Sequence, residues 1–340
     1  MRTIAQAFDP RDNGITPLRL GLALLVVFSH SFLAGGFGYD PLYQVSGGQL
    51  QLGTVAVVAF FGLSGFLLAR SRATAPLLAY VRNRALRILP GLWACLAIIA
   101  VGFIPLAVAL GGTARPEDIL RFVTSAASLQ PIPVQIDGLF PGSAMPNVVN
   151  APLWTLPPEA LCYVGLGLVG AMSARLIPSL LTGILALFVV AHVATDGQSL
   201  LLHLPVAFLI GTLLYHHRTR LPLSGTLTLA LVGVTGASAI VGALAVVAPL
   251  VIPYVALWFG ARQPARWTRD LSYGAYIYAW PTQQLLAVVG IPALGWLPYF
   301  GLTLPLVLAM AWSSAVLIEE PALRLRHRPR TALKATVAVG

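Results

Sequence analysis

Residues 17–34 read PLRLGLALLVVFSHSFLA, an apolar run long enough to cross a bilayer as a helix. Its ionisable side chains are Arg19 and His30. They lie eleven residues apart, so on a helix they share one face at a separation of about 16 Å. An ionisable group inside a membrane helix costs about 2.5–3.5 kcal/mol to insert. Both residues are therefore candidates for a functional site.

The rest of the chain repeats this apolar pattern between breaks of proline, glycine and charge. Of the 340 residues, 57% are hydrophobic and 9% are charged, which leaves too little polar surface for a water-soluble globule. We predict an all-α polytopic membrane protein with about ten transmembrane helices. The predicted spans are 17–34, 52–69, 88–110, 152–172, 176–195, 199–216, 221–241, 243–260, 271–290 and 297–318. Because 221–260 contains no charged residue, nine or eleven helices are alternatives.

Basic residues segregate to one side of these predicted helices. Arginines fill the N-terminal segment, the even-numbered connections and the tail, whereas the opposite connections hold only Arg115 and Arg121. The positive-inside rule then places both termini in the cytoplasm. The formal charge of +10 follows from this topology and from contact with membrane lipids, so we expect no nucleic-acid partner.

Cysteine and histidine usage gives no metal-binding pattern. Cys95 and Cys162 both fall in apolar runs without a CxxC motif, which indicates buried, inert thiols. No histidines occur at metal-ligand spacing, so we predict no metal site. The remaining candidate histidines lie near predicted helix ends, where we expect interfacial roles: His192, His203, His216 and His217.

Two further groups of charged residues are candidates for chemistry. Glu159 lies about eight residues inside the outer end of the fourth predicted helix, at a depth that helix counting makes similar to that of His30. This pair would act as a base with its orienting carboxylate or as a proton relay. The alternative is a buried polar pair that fixes helix packing. Arg84 and Arg87 share a helix face and would suit a phosphate, or would set topology and contact anionic lipids.

Several stretches together resemble the membrane acyltransferase family 3, whose bacterial members O-acetylate surface glycans. The similarity covers the chain from the first helix to the tail, and we assign residues 1–330 to this transmembrane domain and 331–340 to a short cytoplasmic tail. The motifs that carry it are the Arg19 to His30 spacing, FFGLSGFLLAR at 60–70, RNRALRILPGLW at 82–93, LWTLPPEALCY at 153–163, LSYGAYIYAWP at 271–281 and IEEPALRLR at 318–326.

The resemblance implies an enzyme of the bacterial inner membrane. An acyl group, most often acetyl from acetyl-coenzyme A, would pass from the cytoplasmic side to a hydroxyl of a cell-surface or lipid-linked glycan. It implies the following roles: His30 as catalytic base, Arg19 as supporting residue and Glu159 as active-site carboxylate, with Arg82, Arg84 and Arg87 as coenzyme A ligands. A common form of the family's ninth-helix motif has His at the position of Ala279, so this chain lacks that second candidate histidine.

Other roles and functions stay open from the sequence. Tyr273, Ser272 or Trp154 would donate to a developing oxyanion, and Ser29, Ser31 or Ser64 would carry the acyl group if the reaction used an acyl-enzyme. The long outer connection 111–150 either covers the acceptor site or is a variable cap. Competing functions are a proton-coupled transporter or lipid-linked glycan flippase, and a membrane scaffold.

Overall fold

Helices account for nearly all regular structure in the computed structural model, which describes residues 2–130, 134–173, 175–262 and 269–327. Within these ranges, pairing of β type is limited to two isolated bridges. The helices are α1 (Ile4–Ala7), α2 (Ile15–Ala34), α3 (Pro41–Val45), α4 (Leu52–Thr74), α5 (Leu77–Ile98), α6 (Ile104–Ala109), α7 (Pro116–Ala127), α8 (Leu156–Val169), α9 (Ile177–Ala194), α10 (Leu200–His216), α11 (Gly225–Ile240), α12 (Leu244–Arg262), α13 (Ser272–Val288), α14 (Trp296–Ser314) and α15 (Glu320–Arg324).

A helix lies at each of the ten predicted apolar runs, and the all-α membrane character is confirmed. Six helical stretches are long and apolar enough to cross a membrane, and α10 and α11 are shorter apolar helices. The ten-span count stays a prediction. The six stretches are Ile15–Ala34, Leu52–Thr74, Leu77–Ala109, Ile177–Ala194, Leu244–Arg262 and Trp296–Arg324. The predicted tail 331–340 and part of the connection after α12 lie outside the described residues.

The third span begins earlier than predicted. Its start was expected at residue 88, but α5 begins at Leu77 and continues through a π-helical turn at Ile99–Phe103 into α6. The Arg-rich stretch before residue 88 is helical because arginine is a good helix former and Pro76 supplies a fixed N-cap. Arg84 and Arg87 consequently stand on the same continuous helix as the apolar span.

The centre of the bundle is α4, which packs closely on α10. A Cβ atom placed on Gly65 would lie 2.0 Å from the carbonyl oxygen of Phe208, and one on Gly211 would lie 1.9 Å from that of Gly62. The two backbones touch there, as they do at small-residue contacts between membrane helices. On its other side α4 packs against α2, and α2 packs against α13. The helices α2, α4 and α13 thereby surround the site described below.

The alternating helices give the bundle two different ends. At one end the N-terminal segment joins the connection after α10 and the last turn of α12, with the Ile4 amide donating to the Leu221 carbonyl at 2.9 Å and the Gly14 amide to the Gly260 carbonyl at 2.7 Å. Arg19 begins α2 at this end, which we name the arginine end. His30 lies near the last turn of α2, towards the opposite end, which we name the histidine end.

The connection 111–150 folds back into the bundle from the histidine end. Along α5, the indole of Trp93 donates to the Ala127 carbonyl at 3.1 Å, although Trp93 lies about 24 Å from the end of α6 at Ala109. The amphipathic helix α7 therefore runs inward beside α5, and Phe122 and Ala126 on its apolar face are buried.

The last part of the connection runs inward along α13. Gln284 donates its amide to the Met145 carbonyl at 2.6 Å, and Asn150 donates its amide to the Ile277 carbonyl at 2.8 Å. From residue 284 to residue 277 the chain descends about 10 Å along α13. The helix α8, only 14 residues long, thus starts well inside the bundle.

Candidate active site

Asp270 is the organising carboxylate at the arginine end. It lies just before α13 and accepts hydrogen bonds from Arg19 at 2.8 Å and Arg87 at 2.6 Å, so that it joins α2, α5 and α13. Its other oxygen accepts from the amide and hydroxyl of Ser272 at 3.0 and 2.5 Å. Burial alone would raise the pKa of Asp270, but the two guanidinium groups and Ser272 hold that pKa well below its usual range. Asp270 is therefore a fixed negative charge.

Arg87 is committed to a second carboxylate as well. Its other terminal nitrogen lies 3.4 Å from Glu319, whose side chain is 4% exposed. Glu319 also accepts from the Ser314 hydroxyl at 3.1 Å. Because Arg87 pairs with two carboxylates, it connects α5 to the end of the last span. The assignment of Arg84 and Arg87 as phosphate ligands stays a prediction, but the two side chains have different partners.

Arg87 lines a cavity of about 270 Å³ together with Arg84 and Arg326. Neither Arg84 nor Arg326 pairs with a carboxylate among the described residues. The Nε atom of each is buried and has no hydrogen-bond partner within the described ranges. Burial, together with Arg84 and Arg87, lowers the pKa of Arg326 to about 10, as expected for clustered like charges. We name this space the arginine cavity; its polar lining is Arg19, Ser64, Arg84, Arg87, Tyr163, Asp270 and Arg326.

The charge balance of the arginine cavity favours an anion. Four lining arginines stand against Asp270 in the wall and Glu319 behind Arg87, which leaves a net charge of 4 − 2 = +2. Unsatisfied guanidinium donors bind phosphate or carboxylate oxygens through charge-assisted bonds. The residues present thus fit a ligand rich in phosphate.

Arg82, the third predicted coenzyme A ligand, occupies a different position. It is exposed, and its guanidinium donates to the backbone carbonyl of Arg326 at 3.0 Å. Arg326 returns a bond to the Asn83 carbonyl at 2.8 Å. Arg82 does not line the arginine cavity but braces the backbone that carries Arg326.

A smaller cavity of about 60 Å³ continues from the arginine cavity towards the bundle centre. The two share Arg19 and Ser64 in their linings. Glu159 lies in this inner cavity and accepts a hydrogen bond from the hydroxyl of Tyr163, which lines the arginine cavity. A polar path therefore leads inward from the arginines past Glu159.

The predicted oxyanion donors have other contacts. Tyr273 lines the inner cavity, but its hydroxyl proton is donated to the Ile88 carbonyl at 2.8 Å. Ser272 donates to Asp270. Trp154 packs with the apolar residues of the main core. Another hydroxyl pair lies in the inner cavity, where Thr155 and Tyr276 are 2.9 Å apart.

His30 lies one helical turn beyond the inner cavity. Its imidazole packs edge-on against Trp280 with the ring centres 5.2 Å apart, and a Cβ atom placed on Gly53 would be 3.9 Å from its Nε2. Val57, which lines the inner cavity, follows Gly53 by four residues. Tyr276, which also lines it, precedes Trp280 by four residues. Four residues span about 6 Å on a helix.

The predicted common depth of His30 and Glu159 is wrong. Thr155 bonds Tyr276, one turn inward of Trp280 at the level of His30, and Glu159 follows Thr155 by a further four residues of inward-running chain. The depth count took residue 152 as the outer end of a span, but residues 145–150 have already descended along α13 before α8 begins. The structure therefore does not bring the two together as a base and its orienting carboxylate.

A family model described as an acyltransferase domain matches residues 12–316. The chain belongs to this acyltransferase family. A curated relative, an O-acetyl transferase of Shigella phage Sf6, is 24% identical to the acyltransferase in an alignment 341 positions long that covers 95% of this chain and 99% of the relative. No solved structure matches it significantly.

Sequence reasoning missed four charged residues of the acyltransferase site: Asp40, Asp270, Glu319 and Arg326. Asp40 and Asp270 each stand just before a helix and bond its first amides, and an acidic residue before a helix start is a recognised capping pattern. Glu319 and Arg326 lie within a stretch quoted for its family likeness, but only the fold shows that they face Arg87 and the cavity.

Asp40 deserves separate description because it lies beside His30. It is fully buried and accepts from the Ser29 hydroxyl at 2.5 Å, the Leu52 amide at 2.8 Å and the Tyr43 amide at 3.1 Å. Ser29 immediately precedes His30 on α2, and Leu52 immediately precedes Gly53 on α4. The histidine and the carboxylate therefore belong to one cluster, which we name the histidine site: His30, Asp40, Gly53 and Trp280.

Proposed function

We propose that this acyltransferase is a multi-pass protein of the bacterial inner membrane that transfers an acetyl group from acetyl-coenzyme A to a hydroxyl of a cell-surface or lipid-linked glycan, such as O-antigen or exopolysaccharide. The family match and the relative named O-acetyl transferase support acyl transfer to oxygen. The arginine cavity, with the inner cavity that leads from it towards His30, supports the assignment of a phosphate-rich donor.

The proposed topology has ten spans with both termini in the cytoplasm. In the described residues, the connections at the arginine end carry most of the basic side chains, whereas Arg115 and Arg121 lie in the connection that leaves the histidine end. This distribution matches the positive-inside rule. The arginine cavity then opens to the compartment that contains acetyl-coenzyme A.

The spacing of the two sites suits such a donor. Asp270 marks the level of the arginine cavity and Trp280 that of His30, and ten residues of α13 span about 15 Å. This is comparable to the length of a phosphopantetheine arm. Arg84, Arg326 and Arg19 would bind the phosphates, and Ser64, Glu159 and Tyr163 would contact the amide groups of the arm along the inner cavity.

The chemistry requires removal of a proton from the acceptor hydroxyl, because the bound thioester is already an activated acyl group. A neutral His30 accepts that proton as general base. Trp280 and Gly53 would position the imidazole for the acceptor hydroxyl. The acceptor would approach from the histidine end, beside the inward-folded segment 145–150.

The deciding experiment measures consumption of radiolabelled acetyl-coenzyme A and transfer to lipid-linked glycan by purified protein in vesicles. We expect wild type to turn over, and His30→Ala to lose at least about 1000-fold in kcat while it keeps the donor affinity of wild type. If wild type neither binds nor consumes acetyl-coenzyme A, acyl transfer from this donor is refuted and proton-coupled transport becomes the leading function.

A further inference from the structure

We propose that Asp40 is the carboxylate partner of His30: it fixes the two helices that flank the imidazole and stabilises the positive charge that His30 acquires when it takes the hydroxyl proton. This proposal rests on the proposed function, since it assigns a positioning residue to the same reaction. It replaces Glu159, which the sequence pattern offered for this role.

Asp40 joins the two helices that flank the imidazole. One of its oxygens, Oδ2, accepts both from the Ser29 hydroxyl at 2.5 Å and from the Leu52 amide at 2.8 Å. Ser29 is next to His30 in α2, and Leu52 is next to Gly53, the residue that faces Nε2 of His30. A single carboxylate oxygen therefore sets the distance between α2 and α4 at the imidazole.

Asp40 also places a carboxylate charge beside His30. Asp40 is fully buried, with an exposed fraction of 0%, and its bonds from Ser29 and Leu52 place it beside His30. A fixed negative charge in a region of low dielectric constant stabilises a nearby developing cation more strongly than it would in water. Proton transfer from an acceptor hydroxyl to His30 creates such a cation.

Glu159 does not compete for this role. It is bonded to Tyr163 and lies in the inner cavity with Arg19. The Nδ1 atom of His30 has no hydrogen-bond partner in the described part of the chain, so no direct carboxylate bond holds the ring. Asp40 acts instead through the backbone on either side of the ring and through its charge.

A purely structural explanation also exists, because Asp40 caps α3 through the Tyr43 amide. Asparagine is an equally good N-cap and keeps an acceptor oxygen of the same shape. The substitution Asp40→Asn removes the charge and keeps one acceptor oxygen, so it retains either the cap to Tyr43 or the bonds from Ser29 and Leu52, while its NH2 group faces the other donors.

The test compares wild type, Asp40→Asn and a control, Glu117→Gln, in the vesicle assay with acetyl-coenzyme A and lipid-linked glycan. Glu117 is an exposed acid at the start of α7, at the same end of the bundle. We expect Asp40→Asn to lose about 10- to 100-fold in kcat with KM for acetyl-coenzyme A unchanged, and Glu117→Gln to match wild type.

Each outcome decides the proposal. If Asp40→Asn keeps wild-type kcat while His30→Ala is inactive, Asp40 has no part in the reaction and the proposal is overturned. If Asp40→Asn loses stability together with activity, Ser29→Ala is measured, because it removes one of the same hydrogen bonds and keeps the charge. If Ser29→Ala is destabilised as much as Asp40→Asn but stays active, the charge of Asp40 has the proposed role. If Ser29→Ala loses activity in proportion to its stability, that role of the charge is overturned.

Failure of the proposed function gives a separate result. Wild-type turnover tests acyl transfer, and the ratio of Asp40→Asn to wild type tests Asp40. A wild-type protein that does not consume acetyl-coenzyme A refutes both proposals, whereas an active wild type with an equally active Asp40→Asn refutes only this one.

Discussion

The arginine cavity and the histidine site both gather ionisable residues inside a membrane bundle, but they do so in opposite ways. The arginine cavity holds four arginines with two carboxylates, shares ion pairs among them and encloses about 270 Å³. The histidine site holds one imidazole and one buried carboxylate that do not bond each other, packed against an indole. The arginine cavity has space and an excess of positive charge, whereas the histidine site holds a single carboxylate packed among side chains.

This difference follows from what each region has to do. A cavity that binds an anion keeps unpaired donors, and Arg84 and Arg326 retain them while Asp270 neutralises part of the remaining charge. A base that must be neutral before it accepts a proton needs a dry, nearly uncharged surrounding with one negative group at a short distance. About 15 Å of helix separates the two, which allows each environment to be set independently.

The largest expected effect separates donor binding from chemistry. The double variant Arg84→Ala with Arg326→Ala removes the two uncompensated guanidinium groups of the arginine cavity. Each charge-assisted bond to a phosphate contributes about 1.5–3 kcal/mol, so we expect KM for acetyl-coenzyme A to rise about 100- to 1000-fold. At saturating donor, kcat should stay near the wild-type value. Initial rates at varied donor concentration measure both.

Ionic strength provides the control for that experiment. Higher salt should raise KM in wild type and have a smaller effect in the double variant, because the screened charges are already absent. A double variant with unchanged KM, or one that loses kcat as His30→Ala does, would contradict the separation of the two regions.

The second effect concerns stability at the arginine end. Asp270→Asn leaves Arg19 and Arg87 without their shared carboxylate, whose side chain is 21% exposed. Removing one partner of a mostly buried ion pair should cost about 2–3 kcal/mol of folding free energy. Thermal unfolding in detergent measures this, and Arg269→Ala, which breaks a more exposed pair with Glu320, serves as the control with a much smaller effect.

The pH dependence of the same pair has a definite sign. Because the pKa of Asp270 is lowered on folding, its contribution is present above the ordinary aspartate pKa of about 3.8 and is lost as pH falls further. The stability difference between wild type and Asp270→Asn should therefore be constant from about pH 5 to 9. A difference that disappears within this range would show that Asp270 is not held ionised by its arginines.

Periodic apolar runs made the helices predictable, but depth in the bundle was not. The positions of the apolar helices follow from run length and charge breaks, and ionisable residues at helical spacing led to His30 and the arginine motif before the family likeness implied their roles. The depth of Glu159 failed because it depended on where the chain enters the bundle. That entry is set by side-chain bonds from Gln284 and Asn150 to distant carbonyls, which no local pattern reveals.

The same limit explains the division among the arginines. Spacing correctly puts Arg84 and Arg87 on one face of α5, but their different roles depend on Asp270 and Glu319, which are 183 and 232 residues distant from Arg87 in the chain. Asp40 was overlooked because it stands in a connection, where an Asp-Pro pair predicts only a helix start. Charge partners that come from remote segments have no signature in a single sequence.

A third prediction tests whether the inward-folded segment supports the histidine site. Gln284 donates to the carbonyls of Met145 and Val148, and Val148 also accepts from Trp280, the ring that packs on His30. Gln284→Leu removes two bonds worth about 1 kcal/mol each, and we expect about a tenfold lower kcat with an unchanged donor KM. Gln198→Leu, at an exposed position, should behave as wild type. An unchanged kcat in Gln284→Leu would mean that the segment does not hold Trp280.

The smallest expected effect concerns Arg82, where family resemblance and geometry disagree. The resemblance groups Arg82 with the coenzyme A ligands, but its guanidinium bonds the Arg326 carbonyl from the exposed side and does not reach the cavity. Arg82→Ala should therefore cost about 0.5 kcal/mol and raise donor KM by no more than about threefold, because the backbone of Arg326 keeps its own bond to Asn83. The same kinetic series used for Arg84 and Arg326 measures this. If Arg82→Ala instead raises KM as much as Arg84→Ala alone, Arg82 binds the donor directly, and the arginine cavity extends further outward than its lining indicates.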